Sequence, residues 1–245
     1  LDDQGPYQNV FMQEMDVHNV LLAEIVRSLN ELKLGFAGEL TMSDAMEALL
    51  NALYMDAIPA SWAKRAWPSK RGLVSWLANF TQRLNQLDEW SGNPMEIPKV
   101  TWLSGLVNPQ SFLTAINQVA AQKDKSELDK LVSVTDVTKK MAVDEIDGHA
   151  RDGAYINGLQ MEGARWDVNN TSVESSKPKE MFSQMPVMSV RGVQADKADI
   201  KGMYACPTYK TQMRGPTYVF QAQLKTKSPP ARWVLAGVAL IMDLG

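Results

Sequence analysis

The chain has 245 residues, of which 45% are hydrophobic and 22% are charged, a composition typical of a folded protein with a buried core. Its formal net charge is −3, which argues against binding nucleic acid or an anionic membrane through bulk charge. The single cysteine, Cys206, excludes an internal disulfide and fits a reducing compartment.

The ends and apolar runs of the chain give two further expectations. The sequence opens at Leu1, without Met, so we expect it to be a segment of a longer protein. The longest apolar run, from Trp233 to Met242, is far shorter than the roughly 20 residues that span a bilayer, so we expect a soluble protein.

A long amphipathic helix is predicted at the start of the chain. Its apolar residues recur at spacings of three and four, which places them on one helical face. Gly35 and Gly38 are expected to end it. The predicted inward residues are Phe11, Met15, His18, Leu22, Ile25, Leu29 and Leu32.

Two shorter helices are predicted next. Thr41 or Ser43 can cap the first of them, and Pro59 is expected to stop it. The other is expected to begin near Lys70. The predicted inward residues are Met46, Leu49, Leu50 and Leu53 in the first, and Leu73, Leu77, Phe80, Leu84 and Leu87 in the second.

A fourth helix and a change of period divide the chain. Asn108 is suited to cap that helix, with Pro109 at its first position, and its predicted inward residues are Phe112, Leu113, Ile116 and Val119. Near residue 131 valines begin to alternate with Ser and Thr, so the period falls from 3.6 to 2. We therefore predict a helical domain over residues 1–130 and a β domain over residues 131–245.

The predicted fold class is α+β, with the helical part followed by a small antiparallel β-barrel of about six strands. The strands are expected to be antiparallel because no helix long enough for a crossover connection lies between them. Closure into a barrel would protect the strand edges. The predicted strands are the valine-rich segment 132–137, Ala154–Glu162, Pro186–Arg191, Tyr204–Thr211, Tyr218–Thr226 and Arg232–Met242.

Tryptophans are concentrated in the helical part. Exposed rings at this density would mark a ligand or partner surface, whereas buried rings would anchor a core. We predict core positions for most of them, with one or two at an interface. The five that lie close together are Trp62, Trp67, Trp76, Trp90 and Trp102.

Catalytic motifs are missing from the sequence. It contains no G-x-x-x-x-G-K-[ST] loop, and the glycines at 153, 158 and 163 fall every five residues within a strand pattern, which favours bulges over a phosphate cradle. Residues 144–152 hold four acids and His149, but lack the ligand spacing of an EF-hand or a zinc site, so a solvated loop is favoured. With two histidines and one cysteine, we predict no catalytic, cofactor or metal site.

The stretch from Gly153 to Asp167 reads Gly-Ala-Tyr-Ile-Asn-Gly-Leu-Gln-Met-Glu-Gly-Ala-Arg-Trp-Asp and resembles a signature of the C-terminal domain of dynein heavy chains. Within it, Arg165 and Asp167 flank Trp166 and could pair with each other or with a backbone turn. Further segments resemble that family in the family's order. The matching residues are Trp62, Trp76, Trp102, Asn108, Pro109, Gln110, Gly153, Gly158, Gly163, Arg165, Trp166, Asp167, Cys206, Pro207, Trp233 and Gly237.

Two segments resemble the axonemal form of the family. They are the stretch from Arg214 to Val219 and the closing W-x-LAGVAL pattern from Trp233. Val107 and Gln160 depart from the family pattern, where an aromatic and an apolar residue are usual, and Trp67 stands where Tyr is usual.

The resemblance implies a non-catalytic domain that follows the sixth AAA module, packs on the motor ring and regulates microtubule-based motility in the axoneme of a cilium or flagellum. It implies ATP and magnesium in the parent ring and no cofactor in this segment. The implied partners are AAA modules of the same heavy chain and other dynein subunits, with no direct nucleic acid, membrane or microtubule contact. The alternative is a docking module for an accessory axonemal protein.

Overall fold

The computed structural model describes residues 5–244. Six α-helices occur in this range, and four of them follow predicted helices, whereas α3 and α6 were not predicted. Within the described range, none of the helices combines the length and apolar character needed to cross a lipid bilayer. The helices are α1 (Pro6–Phe36), α2 (Asp44–Tyr54), α3 (Ala60–Ala63), α4 (Leu73–Ser91), α5 (Pro109–Asp124) and α6 (Pro230–Leu235).

The helix starts follow the capping chemistry of the sequence. The Ser43 hydroxyl accepts the amide of Met46 at 3.3 Å, and the Asn108 side chain accepts the amide of Ser111 at 3.4 Å, so both predicted caps are confirmed. The prediction that Pro59 stops α2 is wrong, because that helix already ends at Tyr54.

The buried face of α1 differs from the predicted one. Leu22 and Leu29 were expected to face inward, but each is 39% exposed. Compared with the predicted face, the buried face of α1 is rotated so that it includes polar residues, which have hydrogen-bond partners elsewhere in the fold. Its members are Val10, Phe11, Glu14, His18, Leu21, Glu24, Ile25, Ser28 and Leu32.

The described strands form three sheets: a four-stranded sheet in the order β1-β3-β8-β2, a five-stranded sheet in the order β10-β9-β11-β4-β7, and the hairpin β5-β6. Their bounds are β1 (Thr101–Trp102), β2 (Leu131–Val137), β3 (Ala154–Asn157), β4 (Gln160–Glu162), β5 (Arg165–Asp167), β6 (Ser172–Glu174), β7 (Phe182–Gln184), β8 (Met188–Gln194), β9 (Tyr204–Thr211), β10 (Tyr218–Leu224) and β11 (Ala239–Asp243).

The barrel prediction is not confirmed, since no closed barrel is found among the described strands. Where β2 and β10 approach each other, the Thr135 hydroxyl bonds to both the amide and the carbonyl of Gln223, at 2.7 and 2.9 Å. The Thr135 side chain thus forms the hydrogen bonds to Gln223 that backbone groups of β2 would form if β2 and β10 were paired in a continuous sheet. Two pairings are also parallel, β1 with β3 and β9 with β11, so the expectation of a wholly antiparallel sheet is wrong.

Two predicted strands are each divided in the structure. The segment Ala154–Glu162 turns at Gly158, where φ is +88°, and supplies β3 to one sheet and β4 to another. The segment Arg232–Met242 begins within α6 and turns at Gly237, where φ is +65°, before β11. Because β10 runs antiparallel to β9, the chain can return through α6 into β11 parallel to β9.

Two hydrophobic cores hold these elements together. The first core joins the start of α1, the end of α4 and α5 to strands of all three sheets. The second core lies among α1 to α4 and the loop between α3 and α4; its buried residues are Leu21, Ile25, Leu32, Met46, Leu49, Trp62, Trp67, Leu73, Trp76 and Phe80. The first core therefore contains residues from both sides of position 131, and the division at 130/131 stays a prediction.

Candidate interaction surface and buried polar junction

The clustered tryptophans of the helical part mostly anchor the cores. Trp62, Trp67, Trp76 and Trp90 are between 0 and 6% exposed, which confirms the core prediction for these four. Trp62 Nε1 donates to the Ser28 hydroxyl at 2.9 Å, so its polar edge is satisfied inside the second core.

Trp102 is half-buried and lies over Gly158. An added Cβ at Gly158 would fall 2.4 Å from the Trp102 ring, so this ring needs a glycine beneath it. The two signature residues are 56 positions apart in the sequence, and the turn between β3 and β4 brings them together.

The remaining signature residues occupy turns and strand ends. Gln110 Nε2 donates to the Tyr218 carbonyl at 3.1 Å, which ties the start of α5 to β10. Trp233 Nε1 donates to the Thr226 hydroxyl at 2.7 Å, which fixes α6. Among the described residues, the signature set does not converge on one site.

Asp167 adopts the turn alternative of the two predicted for it. Its carboxylate accepts the Asn169 amide at 2.8 Å and the Asn170 side chain at 2.5 Å, and these hydrogen bonds lower the pKa of Asp167 to about 2. Arg165 lies opposite Glu174 in the β5–β6 hairpin. The motif therefore closes a turn.

Cys206 and Pro207 lie in the middle of β9. The Cys206 side chain is fully buried and unbridged, and burial raises the pKa of its thiol to about 12. A thiol in this environment is protonated at physiological pH and acts as a small apolar residue. In residues 5–244, no three His, Cys, Asp or Glu side chains group as metal ligands.

A buried polar junction connects α1 to the loop before α5. Glu14, 2% exposed, accepts the backbone amides of Val107 and Asn108, each at 2.8 Å. Lys210 on β9 donates to the Val107 carbonyl at 3.0 Å from the other side. This loop is therefore clamped between a helix and a strand.

Arg83 on α4 completes this junction. It is 2% exposed; its Nε donates to the Asn79 side chain at 2.9 Å, and its guanidinium carbon lies 3.9 Å from the centre of the Trp67 ring. Burial lowers the pKa of Arg83 to about 10. Sequence reasoning missed the junction, although Glu14 and Arg83 both fall on predicted apolar helix faces, and a charge in such a position signals a buried partner.

His18 lies between this junction and the second core, as predicted for a core histidine. Its Nδ1 is 2.7 Å from the Glu14 carbonyl, and its ring stacks on Phe80 with ring centres 6.0 Å apart. Burial lowers the pKa of His18, and this effect exceeds the opposing influence of the Glu14 carbonyl and carboxylate.

We expect His18 to make the chain less stable in mild acid. Because the folded state binds this proton more weakly, the His18 contribution is complete above the unfolded pKa of about 6.5 and declines as the pH falls from there to the folded pKa. Urea denaturation between pH 7.5 and 5 should show a loss on the order of 1 kcal/mol that His18→Gln abolishes. Equal slopes for wild type and His18→Gln would contradict the assignment.

The exposed side of α1 carries a second notable feature. Leu22, Val26, Leu29 and Phe36 repeat at helical spacings along one flank and are 39, 51, 39 and 64% exposed; we call them the outer stripe. The neighbouring Arg27 is paired with Glu24 at 2.8 Å and with Glu31 at 2.7 Å, both within the helix. An exposed apolar flank of this kind, with Lys33 between Leu29 and Phe36, is typical of a protein interface.

Comparison with known proteins agrees with the signature. Residues 1–242 match the family described as the C-terminal domain of the dynein heavy chain. The sequence is 51% identical over 243 residues to the dynein beta chain of the flagellar outer arm of Chlamydomonas reinhardtii, and the match covers 99% of this chain and 5% of that protein. It is 47% identical over 244 residues to human dynein axonemal heavy chain 9, and that match covers 100% of this chain and 5% of that protein.

The ciliary dynein beta chain of Tripneustes gratilla is also 47% identical over 244 residues, and the match again covers 100% of this chain and 5% of the relative. The chain thus spans about a twentieth of the length of these relatives. It belongs to the family formed by the C-terminal domains of dynein heavy chains, in which these similar proteins are axonemal, ciliary and flagellar heavy chains.

Proposed function

We propose that this chain packs on the AAA modules of its own heavy chain and regulates microtubule-based motility without chemistry of its own. The outer stripe is the observation that carries the proposal. Removing apolar side chains from water is favourable, and for these exposed side chains it requires that another protein surface cover them. Since the chain spans about 5% of its relatives, that surface can belong to the remainder of such a heavy chain.

Regulation would act through the conformations of the ring. Covalent attachment gives the ring surface a high effective concentration, so modest contacts suffice for docking. Contacts that are stronger in one ring conformation than in another shift the population toward the first. ATP and magnesium would bind in the ring, this chain would hold no cofactor, and other dynein subunits would be further partners.

The proposed setting follows the relatives, whose names place them in axonemes, cilia and flagella. We propose the same location for this chain, within the cytoskeleton of a cilium or flagellum. Direct contact with microtubules, nucleic acid or membrane is not part of the proposal.

A matched pair of variants tests docking. Val26 lies in the outer stripe and Val74 lies on α4; they are 51 and 73% exposed, so glutamate at either position should leave the fold intact. Val26→Glu should weaken retention of the 245-residue protein by its separately expressed ring about tenfold or more, because a charge would enter an apolar interface. Val74→Glu should bind as wild type does.

Three outcomes would contradict the proposal. Equal retention of Val26→Glu and wild type would exclude the outer stripe from the interface. Capture by axonemal extract with none by the ring would favour the alternative, a docking module for an accessory protein. Saturable ATP binding by this domain alone would indicate an enzyme.

Motility separates a regulatory role from a purely structural one. Val26→Glu in the complete heavy chain should change velocity, force or run length while ring ATPase and expression are retained. Truncation from residue 131 onward is less informative, because it would remove strands that fill the first core. Unchanged motility in Val26→Glu, with docking lost, would leave the domain without a regulatory role.

A further inference from the structure

The outer stripe is part of a longer repeat along α1. Its residues continue toward the start of the helix in alternating steps of three and four, and Met12 at that end is 47% exposed. We call the whole repeat the seam. The seam residues are Met12, Met15, Asn19, Leu22, Val26, Leu29, Lys33 and Phe36.

The seam has a period of seven residues and lies apart from the buried face of α1. Counted from Met12, the seam occupies the first and fourth positions of each repeat. The buried residues of α1 occupy the third, sixth and seventh positions. Met15 touches the first core at one side of the seam, whereas Leu22, Val26 and Leu29 remain exposed. Packing inside the domain therefore does not explain why the seam is apolar.

A seven-residue apolar repeat predicts contact with another α-helix. Apolar residues at the first and fourth positions form a narrow line that receives the side chains of a facing helix. On an α-helix this line turns by about 20° in each repeat, so a helix that crosses α1 at about 20° stays in contact with it. The distance from Met12 to Phe36 allows a contact about 36 Å long.

Two polar residues within the seam restrict the partner further. Asn19 and Lys33 are exposed and occupy first positions of the repeat. Polar residues at such positions weaken helix pairing but fix its register. The residues three and four positions from Lys33 on α1 include no acid, so the helix itself offers this ammonium group no carboxylate. A covering helix that places a carboxylate opposite Lys33 is therefore favoured.

The remainder of the heavy chain suits this role better than a second copy of this domain. Parallel pairing of two copies would place Lys33 opposite Lys33 and bring like charges together in an apolar contact. The relatives are about twenty times longer than this chain, and a helix within the same heavy chain has the high effective concentration of a covalently linked partner.

We propose that the seam binds an α-helix of the remainder of the heavy chain, which has its own seven-residue apolar repeat and a carboxylate facing Lys33. This inference rests on the proposed packing against the heavy chain and specifies the structure of the partner. The two helices pack side by side along α1, and the pair formed by Lys33 and the carboxylate fixes their register.

Photo-crosslinking in the complete heavy chain tests whether the partner is a helix. Benzoylphenylalanine replaces Leu22, Val26 or Leu29, one at a time, and mass spectrometry locates the attached residues. The three crosslinks should fall on one segment of the heavy chain, three or four residues apart, because facing helices present residues at that spacing. Val20 is the matched control: it is 56% exposed and lies about 120° around α1 from Val26, so its crosslinks should miss that segment.

The outcomes separate this inference from the proposed function. Seam crosslinks that are scattered, that fall on strands or loops, or that join two copies of this domain would overturn the helix partner. Missing crosslinks at all three positions would overturn it as well. If Val26→Glu still lowers retention by the ring, docking stands and only the helical partner fails. Failure of docking itself appears in the retention assay, independently of where crosslinks form.

Substitution of Lys33 tests the charge of the partner by the sign of the effect. Lys33→Met should weaken retention of the 245-residue protein by its ring about fivefold or more, because it leaves a covered carboxylate unpaired, and Lys33→Glu should weaken it further. Lys33→Arg should bind as wild type does. Lys139→Met, at an exposed lysine after β2, should change retention less than about twofold. Tighter retention of Lys33→Met than of wild type would show a purely apolar partner surface and overturn the carboxylate.

Discussion

Trp76→Ala is expected to destabilise the protein by about 4–5 kcal/mol, a large share of the roughly 5–15 kcal/mol that holds a typical domain together. Trp76 has no exposed surface and lies at the centre of the second core. Its ring stacks on Trp67, Trp62 and Phe80, with ring centres 5.3, 6.3 and 5.7 Å away. Alanine would lose these contacts and leave a cavity that neighbouring helices can only partly fill.

Urea denaturation followed by far-UV circular dichroism measures this loss without relying on tryptophan fluorescence. Val74→Ala is the matched control, since Val74 lies on the same helix, two residues earlier, and is 73% exposed. It should change stability by less than about 0.5 kcal/mol. Similar midpoints for the two variants would show that the ring cluster is not the main support of the second core.

The tryptophan cluster illustrates what the sequence predicts well. Phe80 lies on the predicted inward face of a periodic helix, so its burial follows from local spacing. Burial of Trp62 and Trp76 was expected from the size of their rings, since α3 was not predicted and Trp76 was not among the predicted inward residues. The caps at Ser43 and Asn108 are equally local, since each depends on an amide three residues away. Local signals of this type predict the helix starts correctly.

The polar junction and the rotated face of α1 could not be predicted in this way. Leu22 is predicted to be a core residue because leucine is apolar, but it is exposed. Glu14 lies on the buried face instead, because its carboxylate accepts hydrogen bonds from the backbone amides of Val107 and Asn108, 93 and 94 positions later in the chain. Burial of a charge depends on that distant partner, and hydrophobic spacing carries no information about it.

The strand pattern failed for a related reason. The run from Ala154 to Glu162 alternates like one strand, and its division at Gly158 follows from the Trp102 ring, which occupies the space of a side group there. The barrel prediction rested on the number of strands, the lack of crossover helices and the expectation that closure protects strand edges. Whether a sheet closes depends on side-chain contacts at its edges, such as the Thr135 bonds to Gln223.

Gly153→Ala should have the largest effect of a single methyl group in this protein. The backbone of Gly153 is left-handed, with φ at +75°, and an added Cβ would fall 1.9 Å from the Val190 carbonyl oxygen of β8. Because β3 pairs with β8 through Ala154 and Val190, the clash cannot relax without separating these strands. We expect a loss of about 4 kcal/mol or more, or failure to fold cooperatively.

Gly202→Ala isolates the clash from the backbone strain. Gly202 has nearly the same conformation, with φ at +79°, but an added Cβ there meets no atom within 4 Å. It should cost only the roughly 1–2 kcal/mol of a left-handed alanine. Thermal unfolding of both variants beside wild type measures the difference, and equal losses would show that strand separation at Val190 is easy. A much larger loss at Gly153 would mean that close packing of β3 on β8, beyond the left-handed turn itself, requires glycine at the start of the family signature.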